Sequence, residues 1–336
     1  MKIKNLSIVI LWVAVIIISV SGCGSKPYLD ITDSISSQSL STPEGEYRAI
    51  AWLDEDHIAF IYRPQELVEK DLLQDFRIGI FELSSGKSQD MPLPDMPSPC
   101  NSKTSGVSEL AKVPNGALGF IYSCWSSGDT LYLIEPDTKD LVKWITYLGI
   151  PARNFSFAPD MSQLIQEDGS GGGLSEKLLL VSSDKSIHEF LPSFERARSP
   201  AWSSDGKTIV FAGTKEQPES IDTSRLQGIE DLFLYPWDIY ITDEKGKNPQ
   251  ILVPSVGTIY DLKWSPVDEN LILFGGTSFD SVDGIWLLDR SDKSILRVWS
   301  KNTLYDWSPD GARIALLDNS KGNWWSSITI INVAEQ

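Results

Sequence analysis

The chain has 336 residues, and its 41% hydrophobic share is typical of a globular protein rather than a disordered one. Asp and Glu outnumber Lys and Arg by 46 to 29, and the formal charge of −17 argues against the basic surface that nucleic-acid binding requires. With only two His and three Cys, a His-rich or Cys-rich metal site is not expected. We therefore expect no nucleic-acid partner, no metal and no cofactor.

Residues 1–22 have the features of an export signal. Lys2 and Lys4 precede an apolar stretch over residues 6–20, which is short for a membrane span. The segment Val20-Ser-Gly-Cys23 that follows resembles the bacterial lipobox. This resemblance implies that Cys23 is lipidated and becomes the first residue of a mature protein outside the cytoplasm. A plain signal peptide and a membrane anchor are the alternatives.

Residues 25–46 are rich in Ser, Thr, Pro and Asp, and we interpret them mostly as a tether. Six segments after it share one pattern, in which an aromatic or apolar residue is followed by a turn with Asp, Asn or Gly and then by an apolar strand. These segments begin at Trp52, Val113, Phe157, Trp202, Trp264 and Trp307. A strand, a polar turn and another strand recur between them, and no long helical period is present apart from a possible turn at residues 65–75.

The intervals between the six segments are 61, 44, 45, 62 and 43 residues, as expected for a repeating unit enlarged twice by insertions. Four short strands per unit at this spacing are typical of a β-propeller blade. Trp307-Ser-Pro-Asp-Gly311, with variants at Trp202 and Trp264, resembles the TolB-type propeller repeat over residues 47–336. The resemblance implies that the Trp packs between blades and that Asp-Gly forms the tight turn between the first two strands.

We therefore predict an all-β protein, a six-bladed β-propeller of four-stranded antiparallel blades. Residues 1–22 would be a lipoprotein signal peptide, residues 23–46 a lipidated tether with a closing strand, and residues 47–336 the propeller. The sixth unit lacks an outer strand, so we expect residues 27–35 or a neighbouring segment to close it. The alternative is a last blade of three strands.

One register of the repeat is rich in functional side chains. The residues four positions before each repeat start are Arg48, Glu109, Arg153, Arg198, Tyr260 and Thr303. Equivalent repeat positions should face the same place, so these residues are expected to ring one mouth of the central channel. Such a ring could bind a carboxylate or phosphate through its arginines, or the arginines could pair with Glu109, Asp261 and Asp306.

The loops between second and third strands are long and should lie at the same mouth. They place several aromatic residues on or near that face, namely Trp125, Tyr235, Trp237, Phe279, Trp324 and Trp325. Aromatic residues in long loops are candidate contacts for a protein or glycan partner. The alternative is local packing beneath the loops.

Cys100 and Cys124 are both expected at this mouth, where they could form a disulfide or remain two buried thiols. His57 and His188 lie in different units, and no nucleophile motif accompanies them. We therefore predict no catalytic residues. The expected function is a non-catalytic binding module, anchored to a membrane at Cys23, that contacts an envelope protein or glycan. The alternatives are a receptor for an anionic small molecule or sugar, and a propeller hydrolase.

Overall fold

The computed structural model describes residues 28–68, 76–91, 105–124, 129–135, 140–147, 152–168, 176–215, 237–278, 282–318 and 327–333. Within these ranges short strands form five sheets that follow one another along the chain, with cores between successive sheets. This arrangement confirms the predicted all-β propeller fold. A short helix, α1 (Gln65–Val68), lies in the segment where the sequence allows a helical turn.

The first three sheets each contain four antiparallel strands in chain order. The first is formed by β3 (Gly45–Trp52), β4 (His57–Pro64), β5 (Arg77–Glu82) and β6 (Lys87–Met91). The second is formed by β7 (Ser105–Lys112), β8 (Leu118–Cys124), β9 (Asp129–Ile134) and β10 (Leu141–Tyr147). The third is formed by β11 (Ala152–Phe157), β12 (Gln163–Asp168), β13 (Lys177–Ser182) and β14 (Ile187–Phe190).

The next sheet has eight strands, where the sequence predicts two separate blades. Besides the N-terminal β1 (Leu29–Asp30), it contains β15 (Arg196–Trp202), β16 (Thr208–Thr214), β17 (Trp237–Asp243), β18 (Gln250–Trp264), β19 (Leu271–Ser278), β20 (Val282–Asp289) and β21 (Ser294–Trp299). The 15-residue strand β18 joins the two halves, because its first part pairs with β17 and its part from Gly257 onward pairs with β19.

The last sheet is completed by an N-terminal strand, but not by residues 27–35. Its strands are β22 (Tyr305–Trp307), β23 (Arg313–Asp318), β24 (Ser327–Asn332) and β2 (Ser37–Ser39), with β2 antiparallel to β24. Strand β1 instead pairs in parallel with β21 of the eight-stranded sheet. The expected tether is therefore attached to the propeller from Tyr28 onward, and a 3-10 turn over Thr32–Ser34 connects the two attachment points.

The ring closes where the last sheet packs against the first. Trp52 and Tyr47 of β3 share one buried core with Leu317 of β23 and Ile328 of β24. Leu40, directly after β2, is buried in the same core. Burial of each large apolar side chain contributes about 1.5–3 kcal/mol, so the N-terminal segment is part of the fold.

The turn between the first two strands of a sheet follows the predicted chemistry. In the last sheet, Ser308 Oγ donates to Asp310 Oδ1 and accepts from Arg313 N at 2.9 Å. Gly311 adopts a φ of +66°, which an L side chain disfavours. Ser203, Asp205 and the glycine at 206 repeat this arrangement in the eight-stranded sheet.

The first strands define two ends of the propeller. They begin at what we call the mouth end and finish at the turn end, where the Ser-x-Asp-Gly turns lie. Antiparallel pairing brings the third strands to the turn end as well, so the outer strands of the sheets begin there.

Candidate functional site

Several of the predicted site residues lie outside what the structure describes or are described only in part. Cys23, Cys100 and Trp125 are outside the described residues, and so are the other predicted loop aromatics Tyr235, Phe279, Trp324 and Trp325. Cys124 is the last residue of β8, and only its backbone is described. The lipid attachment and the Cys100–Cys124 disulfide remain predictions.

The register chosen from the sequence coincides with a β-bulge in the first strands. The pairing of first and second strands shifts next to Arg48, Glu109, Arg153, Arg198 and Tyr260. A bulge adds one residue to a strand and re-aims the side chains beyond it. The six residues were chosen by counting four positions back from each repeat start, and this count crosses the bulge. Their side chains therefore do not all point to one place. The backbone of Arg153 lies in β11, and its side chain is not described.

Arg48 lies at the mouth end with its guanidinium on an aromatic ring. Its Nε is 3.2 Å from Glu46 Oε1, and its Cζ lies 3.9 Å from the centre of the Phe76 ring. Glu46 also accepts a hydrogen bond from the buried Arg63. The Arg48 side chain remains 40% exposed, so a rigid and partly exposed cation is presented to solvent.

Arg198 occupies the corresponding position in the eight-stranded sheet but is buried. Its Cζ lies 4.1 Å from the centre of the Trp237 ring, and its Nη1 is 3.6 Å from Glu176 Oε1. Glu176 also pairs with Arg196 at 3.2 Å. No described residue accepts a hydrogen bond from Nε or Nη2 of Arg198. Within the described part of the chain, the Arg198 guanidinium thus has two unsatisfied donors at the mouth end.

Trp237 begins β17 at the mouth end but is not presented to solvent, as in the alternative of local packing beneath the loops. It is the first residue of β17 and only 1% exposed, because the Arg196 and Arg198 guanidinium groups cover its ring. Tyr260 is 44% exposed and lies 5.9 Å from Arg198, measured from ring centre to Cζ. Thr303 donates to the backbone oxygen of Leu317.

A cavity of about 440 Å³ follows the first strands along the propeller axis. Of the five predicted mouth residues whose side chains the structure describes, Glu109 is the one that lines it. The other polar lining residues include Asn154, Ser156, Asp261, Lys263 and Asp306.

Lys263 lies between two carboxylates in this cavity. Its Nζ is 3.0 Å from Asp306 Oδ1 and 3.7 Å from Asp261 Oδ2. The other oxygen of Asp306 accepts a hydrogen bond from the backbone N–H of Trp52 at 2.8 Å. The cluster therefore links the eight-stranded sheet, the last sheet and the first sheet, which follow one another around the ring.

Burial and the neighbouring charges shift the titration of this cluster. Burial raises the pKa of Asp261 to about 6, although Lys263 opposes the shift and Asp306 adds to it. Burial alone would lower the pKa of Lys263, but the two carboxylates outweigh it and hold that pKa above its usual value. Asp261 can therefore take up a proton near neutral pH while Lys263 stays charged.

A third carboxylate is held beside the cluster. Glu167 accepts from Asn154 Nδ2 at 2.9 Å and from the backbone N–H of Ser199 at 3.3 Å. Burial raises the pKa of Glu167, although the Asn154 hydrogen bond opposes the shift. Asn154 and Ser199 both have positive φ values, of 38° and 52°, because they form the bulges of their strands. The bulges thus position the donors that hold Glu167.

We expect Asp261→Asn to stabilise the protein at pH 7 and to reduce its pH dependence. A carboxyl with a raised folded-state pKa binds its proton more tightly in the folded state, so stability falls as pH rises from about 4 to about 6. This rise in pKa corresponds to about 3 kcal/mol of folding free energy for a largely buried group. Urea unfolding at pH 4.5 and pH 7 measures the difference, and an equal slope in the variant would contradict this assignment.

The sequence contained a signal for this cluster that the chosen register missed. Lys263 and Asp306 each stand directly before the tryptophan that starts a repeat, and Ser156 directly precedes Phe157. Side chains at this position reach the next sheet, as the hydrogen bonds from Trp52 N to Asp306 and from Trp202 N to Ser156 Oγ show. An alignment of the position directly before each repeat start would therefore have predicted that Lys263 lies beside Asp306.

A second group of polar side chains lies at the turn end of the first sheet. Ligand atoms of Asp56, His57 and Glu82 lie within 4.8 Å of one another. Both Asp56 oxygens accept hydrogen bonds from Ser84, and His57 Nδ1 is 2.9 Å from Asp54. Hydrogen bonds within the local turns therefore explain why these side chains lie close together.

Within the described ranges, no helix has the length and apolar character needed to cross a membrane. No family model and no curated protein matches the sequence.

The fold is similar to that of solved propeller structures. TolB from Acinetobacter baumannii has a TM-score of 0.58 and 12% identity, and the match covers 83% of this chain and 64% of that TolB. A protein of Agrobacterium tumefaciens described as a TolB has a TM-score of 0.53 and 16% identity, with 77% and 85% covered. A luciferin-regenerating enzyme has a TM-score of 0.52 and 11% identity, with 89% and 95% covered.

This chain spans less than two thirds of the length of the Acinetobacter TolB, and these identities show a shared fold alone. The chain is thus a β-propeller whose structural neighbours include TolB proteins.

Proposed function

We propose that this protein is a bacterial lipoprotein whose propeller is a non-catalytic binding module outside the cytoplasm. Residues 1–22 would be removed, Cys23 would carry the lipid, and the mouth end would contact an envelope protein or glycan. We further propose six blades, with β18 as both the outer strand of the fourth and the first strand of the fifth. The TolB-like fold supports a binding or interaction module in general.

The observation that carries the binding proposal is the pair Arg48 and Tyr260. Both stand four residues before a repeat tryptophan, and both are at least 40% exposed at the mouth end. Arg48 is held on Phe76, so it would lose little side-chain entropy on binding. Arg and Tyr are enriched among the residues that dominate binding energy at interfaces.

Photo-cross-linking in cells tests the binding face. A photoreactive phenylalanine analogue replaces Arg48 or Tyr260 in one set of variants and Ile187 or Lys245, at the turn end, in the control set. We expect one shared adduct from the mouth-end positions alone. Equal adducts from both ends, or adducts from the turn end alone, would contradict the proposal.

We expect Arg48→Ala and Tyr260→Ala each to weaken binding of the cross-linked partner about tenfold or more, as loss of an interface hot spot does. Lys87→Ala, an exposed change at the turn end, is the control and should leave affinity unchanged. Affinity is measured by titration with the purified partner. Unchanged affinity in both mouth-end variants would rule these residues out as the contact.

The anchor is tested separately. Mass spectrometry of the N-terminal peptide should show a diacylglyceryl group on Cys23, and Cys23→Ser should abolish it. An unmodified N-terminal peptide that still carries residues 1–22 would exclude the lipoprotein assignment.

A second candidate function is an anion receptor, and the unsatisfied donors of Arg198 favour it. Arginine recognises carboxylate and phosphate groups through paired N–H donors. Succinate and phosphate are the probes, and each should raise the melting temperature of the wild type but not of Arg198→Gln. Arg48→Gln is the matched control, since Arg48 is already paired with Glu46. No shift in the wild type would exclude this candidate.

A further inference from the structure

The N-terminal segment is fixed to the outside of the propeller close to the proposed lipid site. The Tyr28 ring packs edge-on against Trp286, with ring centres 4.8 Å apart. Leu29 pairs with Leu296 of β21, and Asp30 forms an ion pair with Arg297 at 2.9 Å. The chain is therefore held at the outer edge of β21 from its first described residue.

The parallel pairing of β1 with β21 decides at which end the preceding residues lie. Strand β21 begins directly after the turn that contains Asp289 and Lys293, which is at the turn end of the propeller. Because β1 runs in the same direction, its N-terminal side also lies toward the turn end. The covalent path back to Cys23 therefore starts from that end.

The path is short. Cys23 and Tyr28 are separated by five residue steps, which span at most about 18 Å in a fully extended chain. The anchor therefore cannot lie far from the outer edge of β21. A disc-shaped domain on so short a connection cannot turn its opposite end toward the bilayer without moving β1 off its sheet.

Exposed apolar side chains gather at the same end. Val142 (40% exposed), Ile187 (40%) and Ile251 (48%) lie at the beginnings of the outer strands β10, β14 and β18. Val267 (55%) lies in the turn after β18. Among the described residues, Tyr260 is the one large exposed hydrophobic side chain at the mouth end.

We infer that the turn end is the membrane-facing surface of the propeller and that its partner is the lipid surface itself. This inference rests on the proposed anchor at Cys23. The acyl chains supply the affinity, since the chain's charge of −17 opposes adhesion to an anionic surface. The short path sets the orientation, and the four aliphatic side chains meet the interface. The mouth end, with Arg48 and Tyr260, then faces away from the membrane toward its partner.

Lysine footprinting on the mature lipidated protein, which begins at Cys23, tests the orientation. The protein is placed in vesicles of phosphatidylethanolamine and phosphatidylglycerol and treated with an impermeant amine-reactive reagent. Lys293 and Lys301 flank the two ends of one strand, β21, and both are exposed. We expect Lys293 to react several-fold more slowly in vesicles than in detergent, with Lys301 unchanged. Equal rates, or slowing at Lys301 alone, would overturn the inference.

Two further measurements separate the possible causes of failure. A flexible Gly-Ser insertion between Gly24 and Ser25 lengthens the path without touching a described contact, and it should abolish the slowing at Lys293. A free Cys23 in the mass spectrum would mean that the anchor proposal has failed. A lipidated Cys23 without slowing at Lys293 would mean that the orientation alone is wrong.

Discussion

Replacing Lys263 with Met is expected to lower the free energy of unfolding by about 3 kcal/mol at pH 7, because removal of one partner leaves buried charges uncompensated. Asp261 and Asp306 would face each other across the cavity without the ammonium that lies 3.7 and 3.0 Å from them. The deficit should shrink as pH falls from 7 to 5, because Asp261, whose pKa burial already raises to about 6, can then be neutralised by a proton. Urea unfolding across this pH range is the measurement.

Lys301→Met is the matched control for this prediction. Lys301 also pairs with one aspartate at 2.9 Å, Asp318, but its side chain is half exposed. An exposed pair contributes about 0–1 kcal/mol, so this loss should be small. Adding Asp261→Asn and Asp306→Asn to Lys263→Met should recover much of the stability. Equal losses in Lys263→Met and Lys301→Met would show that the cluster does not stabilise the fold.

The propeller could be predicted from the sequence because its turns require particular residue types at fixed positions. Ser308, Asp310 and Gly311 each perform a separate task in one turn, and they recur in the eight-stranded sheet. These turn interactions are local, so they can be recognised in the sequence without knowing which distant strands pair. The boundaries of the repeats followed directly from it.

The arrangement of the mouth could not be predicted in the same way. The bulges occur at arginine, glutamate, asparagine, serine and tyrosine positions, so no residue type marks them. The partners of the arginines were missed for a related reason. Glu176, which pairs with Arg196 and Arg198, lies directly before the third strand of the preceding sheet, β13. Only the pairing between strands reveals either feature.

The N-terminal attachment carried an even weaker signal. Strands β1 and β2 have two and three residues, too few for a periodic pattern. The segment looks like a linker because most of its residues are polar. The segment is attached mainly through Tyr28 and Leu40. Each is a single apolar residue that is buried in one hydrophobic core of the propeller.

A chain that begins at Thr42 should therefore be much less stable than one that begins at Ser25. It would lose Tyr28 and Leu40 from two cores, which together contribute about 3–6 kcal/mol. It would also leave the outer edge of β24 open where β2 pairs with it, and open edges promote aggregation. We expect a lower melting temperature that falls further with rising protein concentration.

Two comparisons show whether the loss comes from the attached strands. A chain that begins at Tyr28 keeps the described contacts of β1 and β2 and should melt like the longer chain. A synthetic peptide of residues 28–41 should raise the melting temperature of the shortened protein, whereas the same peptide with Tyr28→Ser and Leu40→Ser should not. If the chain beginning at Thr42 melts with the others, the segment is not part of the folded unit. In that case, the short connection to Cys23 could not orient the propeller on a membrane.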